Sequence, residues 1–260
     1  MKGTITVMPQ PNVRRLLVSA CAGAFLLASG CHHVQPAPAI DAPTQFAQTM
    51  RRFRAGDFAG AQTGFQRLQF DLAARDTLQA KLRFYLAESY VGQGELVTAA
   101  REFRRVSDDF PSDALAPVAL LRCGDAYGML WRRAELDPTN GETALTTYQE
   151  LLARYPDAPA ARIGDLRIRT LQESFARKDF ENGLFYYKRA GYDSAILYFR
   201  SMIAKYPSSS YVAPAYVKLV EAYRAIGYRE EMNETCAHLR QYFGGRADVR
   251  QVCGNGSPGR

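Results

Sequence analysis

The sequence lacks the short motifs that mark common enzyme active sites. It has no glycine-rich phosphate loop, no HExxH, no CxxC and no GxSxG elbow, and the whole chain holds only three histidines. Only His238 lies beyond the first 33 residues. It stands two positions from Cys236, on a different face of the predicted helix, and no orienting carboxylate is implied. The sequence therefore predicts a protein that is not an enzyme and that uses no cofactor and no metal.

Long runs of one charge are also missing. The formal net charge is +7, yet the excess consists of scattered arginines and short pairs such as Arg51-Arg52 and Arg104-Arg105. Such pairs are typical of a solvated helix face, whereas a nucleic-acid or anionic-lipid surface usually shows a larger basic cluster. We therefore predict no nucleic-acid partner.

An uncharged apolar run at residues 16–30 directly follows Arg14 and Arg15. The run has the length of a signal peptide and is too short for a comfortable membrane span. It closes with the letters ASGC at residues 28–31, which resemble the lipobox of bacterial lipoprotein signals. We predict that Cys31 is lipidated and becomes the first residue of the mature chain. An ordinary secretory signal or a membrane anchor is the alternative.

Cys21 is a competing lipidation site, but cleavage there would leave only a few apolar residues after the arginines. We therefore assign residues 1–30 to the signal peptide and residues 31–43 to the lipidated cysteine and a Pro-rich tether. Several acyl chains, palmitate among them, anchor a protein stably, and an extended tether would reach roughly 35 Å at about 3.1 Å per residue. Many such lipoproteins that stay at the inner membrane have Asp where this chain has His32. We predict an outer-membrane protein that faces the periplasm.

From residue 44 onward, apolar residues recur at helical spacing, and Gly and Pro interrupt them. A pattern of alanine, an aromatic residue four positions later and a proline eight positions after that occurs three times. Its members are Ala99, Phe103 and Pro111; Ala144, Tyr148 and Pro156; and Ala195, Phe199 and Pro207. The alanine allows a close approach of two helices, the aromatic ring fills the space between them, and the proline ends the helix. This spacing resembles the tetratricopeptide repeat.

The predicted fold is all-α, a tetratricopeptide-repeat superhelix of about five helix pairs within residues 44–243, followed by a C-terminal tail at 244–260. The predicted pairs are 44–74, 77–110, 112–155, 158–206 and 208–243. The first helix of each pair lines a concave face that binds peptides or other proteins. Residues 131–142 form an insertion in the third pair, at whose edge Trp131 either packs on the inserted loop or anchors an interface.

The segment 171–228 resembles the C-terminal part of the BamD family, lipoproteins of the outer-membrane β-barrel assembly machinery. The resemblance rests on Ala176, Phe185-Tyr186-Tyr187-Lys188-Arg189, Tyr192, Ala195, Tyr206-Pro207, Ser209, Ala215, Leu219, Ala222-Tyr223 and Gly227. It implies a scaffold whose C-terminal repeats dock on the barrel-forming subunit, alongside other assembly lipoproteins. It also implies N-terminal repeats that receive unfolded outer-membrane proteins. The alternative is another envelope repeat lipoprotein that coordinates cell-wall synthesis or division, although no heptad run precedes residue 44.

Repeat register, for a client groove, and the family resemblance, for docking, suggest site residues within this scaffold. Lys81, Phe84, Glu88 and Asp125 are directed toward the concave face and form a candidate client groove, although ordinary solvated helix positions explain them equally well. Tyr198, Tyr223 and Arg224 are candidates for docking the barrel-forming subunit. The family often has Asn-Arg where this chain has Leu197-Tyr198, so an ion pair of that arginine cannot be transferred.

The remaining cysteines suggest one covalent link. Cys236 and Cys253 could form a disulfide that holds the C-terminal tail on the last helix, which an oxidising periplasm would permit. Cys123 occupies a core position of its repeat, so we expect it to be buried and reduced.

Overall fold

The computed structural model describes residues 41–73, 76–133 and 136–254, and these residues form eleven α-helices and no strand. The helices are α1 (Ala42–Arg54), α2 (Phe58–Asp71), α3 (Leu78–Gly92), α4 (Leu96–Asp109), α5 (Ala116–Leu130), α6 (Thr139–Arg154), α7 (Pro159–Tyr187), α8 (Tyr192–Lys205), α9 (Val212–Ile226), α10 (Arg229–Phe243) and α11 (Ala247–Cys253).

The first ten helices form five consecutive pairs, and each helix packs on the next one in the chain. The prediction of an all-α array of five helix pairs is therefore confirmed. We call α1, α3, α5, α7 and α9 the first helices and their partners the second helices. The predicted C-terminal tail contains one helix, α11, which packs on α9 and α10 because Val249 and Val252, one turn apart, are both buried.

The repeated prolines follow the ends of second helices, as the sequence pattern predicts. Helices α4, α6 and α8 are followed by Phe110, Tyr155 and Tyr206, whose φ angles are −130°, −135° and −130°. These values are typical of a residue before proline, because the proline ring clashes with a helical conformation at the preceding position. At the other end of the array, Asp57 caps α2 by accepting a hydrogen bond from the Gly60 N–H at 2.9 Å.

Close approach of the two helices in a pair depends on small residues. A Cβ added to Gly124 on α5 would lie 2.4 Å from Cε1 of Tyr148 on α6, and one added to Gly183 on α7 would lie 2.4 Å from Cε1 of Phe199 on α8. Both rings are buried. The rings of the second helices thus fill space that the missing Cβ leaves on the first helices, as the repeat pattern predicts.

Helix α7 has 29 residues, about twice the length of its partner α8. Its first half contributes Ile168 to a core shared with α5 and α6, and its second half contributes Ala176 to a core shared with α8 and α9. Trp131 stacks on Phe175 of α7 with ring centroids 4.5 Å apart and is 7% exposed. Of the two interpretations of Trp131, the structure supports packing, since the side chain is buried inside the protein.

Candidate functional site

Three first helices carry a chain of charged side chains along one face. Arg122 on α5 donates from Nε and Nη2 to the two carboxylate oxygens of Glu88 on α3, at 2.7 and 2.8 Å. Its Nη1 lies 3.3 Å from Oδ2 of Asp125, also on α5. Arg167 on α7 donates from Nε to Oδ1 of Asp125 at 3.1 Å. These four residues, which we call the charge ladder, join α3, α5 and α7.

Tyr148, from the second helix of the third pair, also contacts the charge ladder. The Tyr148 hydroxyl on α6 donates to Oδ1 of Asp125 at 2.8 Å. Burial and the neighbouring carboxylate raise the pKa of Tyr148 well above its usual range, so the phenol stays protonated and remains a donor. The hydrogen bond to Glu88 raises the pKa of Arg122. The two carboxylates and two guanidiniums compensate one another, so the ladder carries no excess formal charge and is held together by directed, charge-assisted hydrogen bonds.

The four side chains of the charge ladder differ in their exposure to solvent. The side chains of Glu88, Arg122 and Asp125 are 18%, 28% and 14% exposed, whereas that of Arg167 is 53% exposed. Arg167 therefore has the greatest access to solvent, and its planar guanidinium suits carboxylate and backbone carbonyl acceptors.

The four residues of the predicted client groove differ in burial and in their partners. Glu88 and Asp125 belong to the charge ladder, which Arg122 holds together. Lys81 is exposed, with its Nζ 5.5 Å from the ring centroid of Phe46. Phe84 is 9% exposed, and its ring packs edge-on against Phe103 at 5.4 Å. The placement of Phe84 on the open face is thus corrected: its side chain lies in the core between α3 and α4.

Sequence reasoning missed Arg122 and Arg167, although a partial signal for Arg122 exists. Arg122 lies three residues before Asp125, a spacing that puts both side chains on the same side of α5. The contact of Arg122 with α3 and that of Arg167 with α5 depend on how the first helices stack. Nothing local in the sequence indicates that stacking.

The predicted docking residues differ in burial and in the contacts that they make. Tyr198 on α8 is half-buried and stacks on Tyr186 with centroids 5.3 Å apart, next to Leu197, which is 69% exposed. Tyr223 is 5% exposed and lies in the core between α8 and α9. The docking assignment of Tyr223 is corrected accordingly, because its ring faces the protein interior. Arg224 is exposed and donates from its guanidinium to the Val252 carbonyl oxygen at the end of α11.

The cysteines of the described residues differ in state. Cys236 on α10 and Cys253 at the end of α11 are joined by a disulfide, with Cα atoms 5.5 Å apart. Cys123 is a buried free thiol, and burial raises its pKa to about 11. The predicted signal peptide, the lipidation site Cys31 and most of the tether lie outside the described residues.

The described residues contain neither a helix suited to spanning a membrane nor a metal-type cluster of side chains. Within residues 41–73, 76–133 and 136–254, no helix combines the length and the apolar character that crossing a membrane requires. The same residues contain no cluster of three or more His, Cys, Asp or Glu side chains with the arrangement of a metal site.

Comparison with known proteins places the chain in a family. The model of the YfiO family, described as an outer membrane lipoprotein, matches residues 38–239 and so covers the five helix pairs except for the last four residues of α10. The chain belongs to the YfiO family. Curated relatives carry the name outer membrane protein assembly factor BamD, so YfiO and BamD denote the same family here.

The similarity of this YfiO-family chain to individual relatives covers part of each protein. It is 31% identical over 109 residues to BamD of Caulobacter vibrioides, which is 42% of this chain and 36% of that protein. It is 26% identical over 103 residues to BamD of Vibrio cholerae, which is 40% of this chain and 43% of that protein. The matched region thus spans less than half the length of these relatives.

The comparison with solved structures gives matches with TM-scores below 0.5, two of which follow. The complex of the TPR2AB domain of yeast Sti1 has a TM-score of 0.43 and 15% identity, over 82% of this chain and 81% of that one. A thermophilic repeat protein of Thermus thermophilus has a TM-score of 0.37 and 17% identity, over 81% of this chain and 96% of that one.

Proposed function

We propose that this protein is a lipid-anchored scaffold of outer-membrane β-barrel assembly. In this role it binds the periplasmic domains of the barrel-forming subunit, other assembly lipoproteins and unfolded outer-membrane proteins. The observation that carries the proposal is the family match across residues 38–239, together with relatives named as assembly factors. An array of helix pairs supplies extended surfaces for proteins rather than an enclosed reaction site, which agrees with a scaffold.

Anchoring is proposed through Cys31, whose acyl chains would hold the body at the outer membrane. The helical body begins at Ala42, so only ten residues separate it from the anchor. Replacing Cys31 with Ser should remove the mass of the lipid and release the protein from washed membranes, whereas Cys21→Ser should change neither. Retention of the lipid in the Cys31→Ser protein would contradict this assignment.

Client binding is proposed on the face that carries the charge ladder. An unfolded outer-membrane protein presents backbone carbonyls and carboxylates, and the half-exposed Arg167 offers guanidinium donors beside Asp125. Helices α3, α5 and α7 present this face side by side, which suits an extended chain that crosses several helix pairs.

A charge reversal tests this face. Arg167→Glu places a carboxylate beside Asp125 and should weaken capture of an unfolded outer-membrane protein, diluted from urea, by about tenfold. Arg169→Glu is the matched control on the same helix, because Arg169 is 72% exposed and its ion pair among the described residues is with Asp165 of its own helix. Equal losses in both variants, in proteins with unchanged circular dichroism, would indicate non-specific electrostatics and would overturn the assignment.

Docking of the barrel-forming subunit is proposed on the fourth helix pair. The rings of Tyr186 and Tyr198 stack on each other, and Leu197, the residue before Tyr198 in the chain, is exposed. An aromatic pair beside an exposed aliphatic residue is typical of an interface anchor.

Site-specific crosslinking distinguishes this proposal from the alternative role in cell-wall synthesis or division. A photo-crosslinking residue at Leu197 should capture the barrel-forming subunit, identified by mass spectrometry. The control carries the photo-crosslinking residue at Val97 of α4, a position that is 58% exposed. It should capture much less of the barrel-forming subunit. Specific capture of a cell-wall synthase or division protein at Leu197 would favour the alternative.

A further inference from the structure

Helix α11 closes the last helix pair. One side of α9 contributes Ala215, Leu219 and Tyr223 to the core shared with α8. The other side contributes Val217 and Val220 to a separate core with Leu239 of α10 and with Val249 and Val252 of α11. Among the described residues, no further helix pair follows α10. Without α11, the apolar side chains on this side of α9 would therefore be exposed to solvent.

Three attachments hold the end of α11. The disulfide joins Cys253 to Cys236 of α10. Arg224 of α9 donates to the carbonyl oxygen of Val252, and Arg240 of α10 donates to that of Cys253. Both guanidiniums thus meet the last carbonyls of α11, where a cation also complements the helix dipole.

The non-covalent attachments of α11 are few. The helix has seven residues, which is too short to be stable as an isolated helix in water. It buries only two apolar side chains, Val249 and Val252. Only residues 244–246 link it to α10, and two of these three are glycines. Once the covalent link is gone, the chain can therefore leave the surface with little obstruction.

We propose that the Cys236–Cys253 disulfide is a redox lock that keeps α11 closed over the apolar side of α9 and α10. Closing the lock removes two protons and two electrons from the two thiols and reduces the disulfide of a thiol oxidant. Opening it transfers two electrons and two protons from a dithiol, which becomes a disulfide. In the reduced protein α11 detaches and uncovers Val217, Val220 and Leu239.

The expected size of the effect follows from the length of the closed loop. The two cysteines are 17 positions apart. In the chain-entropy description, a loop of this length shifts the closing equilibrium by a factor on the order of one hundred. The lock needs a thiol oxidant to close it and a dithiol to open it, and neither requirement rests on the proposed assembly role.

Hydrogen–deuterium exchange of the full chain tests the lock. Cys21 and Cys31 are replaced by alanine so that they do not take part in disulfide exchange. In the oxidised protein, amides of residues 249–253 should exchange slowly, because the helix is docked. Addition of dithiothreitol should accelerate their exchange by about a hundredfold and leave α3 to α6 unchanged. Exchange around Cys123 is the internal control for effects of the reductant other than cleavage of the disulfide, since Cys123 is a buried free thiol before and after reduction.

A variant separates the disulfide from the arginine contacts. Cys253→Ser, without reductant, should reproduce the fast exchange of the reduced protein, and Cys253 is a suitable position because it is only half-buried. Arg224→Ala in the oxidised state should leave α11 protected. Slow exchange of α11 in the reduced protein would overturn the proposal, as would free thiols at both positions after oxidation. Unfolding of the variant is excluded by unchanged exchange in α3 to α6.

Discussion

Arg122 on α5 holds both carboxylate oxygens of Glu88 on α3, in a two-point contact at 2.7 and 2.8 Å. The two residues are 34 positions apart and belong to adjacent helix pairs. Their side chains are 28% and 18% exposed, so water competes only weakly for their hydrogen bonds. This contact fixes α3 against α5 and orients Arg122 toward Asp125.

Replacing Glu88 with Gln removes the negative charge from a partly buried ion pair. Arg122 then keeps only one of its two carboxylate partners, Asp125. We expect the free energy of unfolding to fall by about 2 kcal/mol. Urea denaturation at neutral pH measures the change. Asp165→Asn is the control, because the Arg169–Asp165 pair at 2.9 Å is 72% and 44% exposed, and its loss should cost about 0.5 kcal/mol or less. Equal losses would show that burial does not strengthen the Glu88–Arg122 pair.

Gly124→Ala tests the close approach of α5 and α6. The new Cβ would lie 2.4 Å from Cε1 of the buried Tyr148 ring, and the collision outweighs the better helix propensity of alanine. We expect a net loss of about 1 to 2 kcal/mol in unfolding free energy. Gly128→Ala on the same helix is the control, since its nearest neighbour would be the Tyr148 hydroxyl at 3.8 Å. This variant should gain up to about 1 kcal/mol. A gain in both variants would contradict the packing described here.

Ala190→Gly tests backbone strain in the turn between α7 and α8. Ala190 is the only non-glycine residue with positive φ among the described residues, at 58°. Its Cβ makes this conformation unfavourable, and glycine removes that cost at the expense of a more flexible unfolded chain. We expect a gain of about 0.5 to 1 kcal/mol by thermal denaturation. Ala47→Gly, at an exposed position in the middle of α1, should instead destabilise by about 1 kcal/mol.

Asp179 and Glu150 should respond to pH in opposite directions. Burial raises the pKa of Asp179 even though Nζ of Lys205 lies 3.9 Å away. The folded state then holds the Asp179 proton more tightly than the unfolded state, so stability falls as pH rises through the folded-state pKa. Asp179→Asn should therefore raise the melting temperature at pH 7, and the gain should vanish below about pH 3.8. A gain of equal size at pH 3 would contradict this electrostatic origin.

For Glu150, burial raises the pKa, but hydrogen bonds from Arg154 and Arg104 outweigh burial and hold it below the usual range. The stabilisation by Glu150 is present above its usual pKa and is lost as pH falls through the lowered value. Glu150→Gln should therefore lower the melting temperature at pH 7. The wild type and the variant should converge in acid, which the same melting series measures. A persistent difference at low pH would point to packing rather than charge.

The sequence by itself determined the helices and their pairing. Apolar residues at helical spacing, and prolines that follow Phe110, Tyr155 and Tyr206, are local signals that act within one or two turns of chain. The small residue at Gly124 and the ring of Tyr148 recur at repeat spacing, so their contact could also be anticipated. The predicted pairs consequently agree with the observed ones to within a few residues at most boundaries.

The tertiary structure alone decided which of these residues form the candidate site. Register predicts Phe84 on an open face, and the family resemblance makes Tyr223 a docking candidate, but neighbouring helices cover both rings. Conversely, Arg122 and Arg167 reach Glu88 and Asp125 only because the first helices stack side by side. The angle and offset of that stacking depend on the summed packing of many side chains across helix pairs. Periodicity within one helix does not encode this sum.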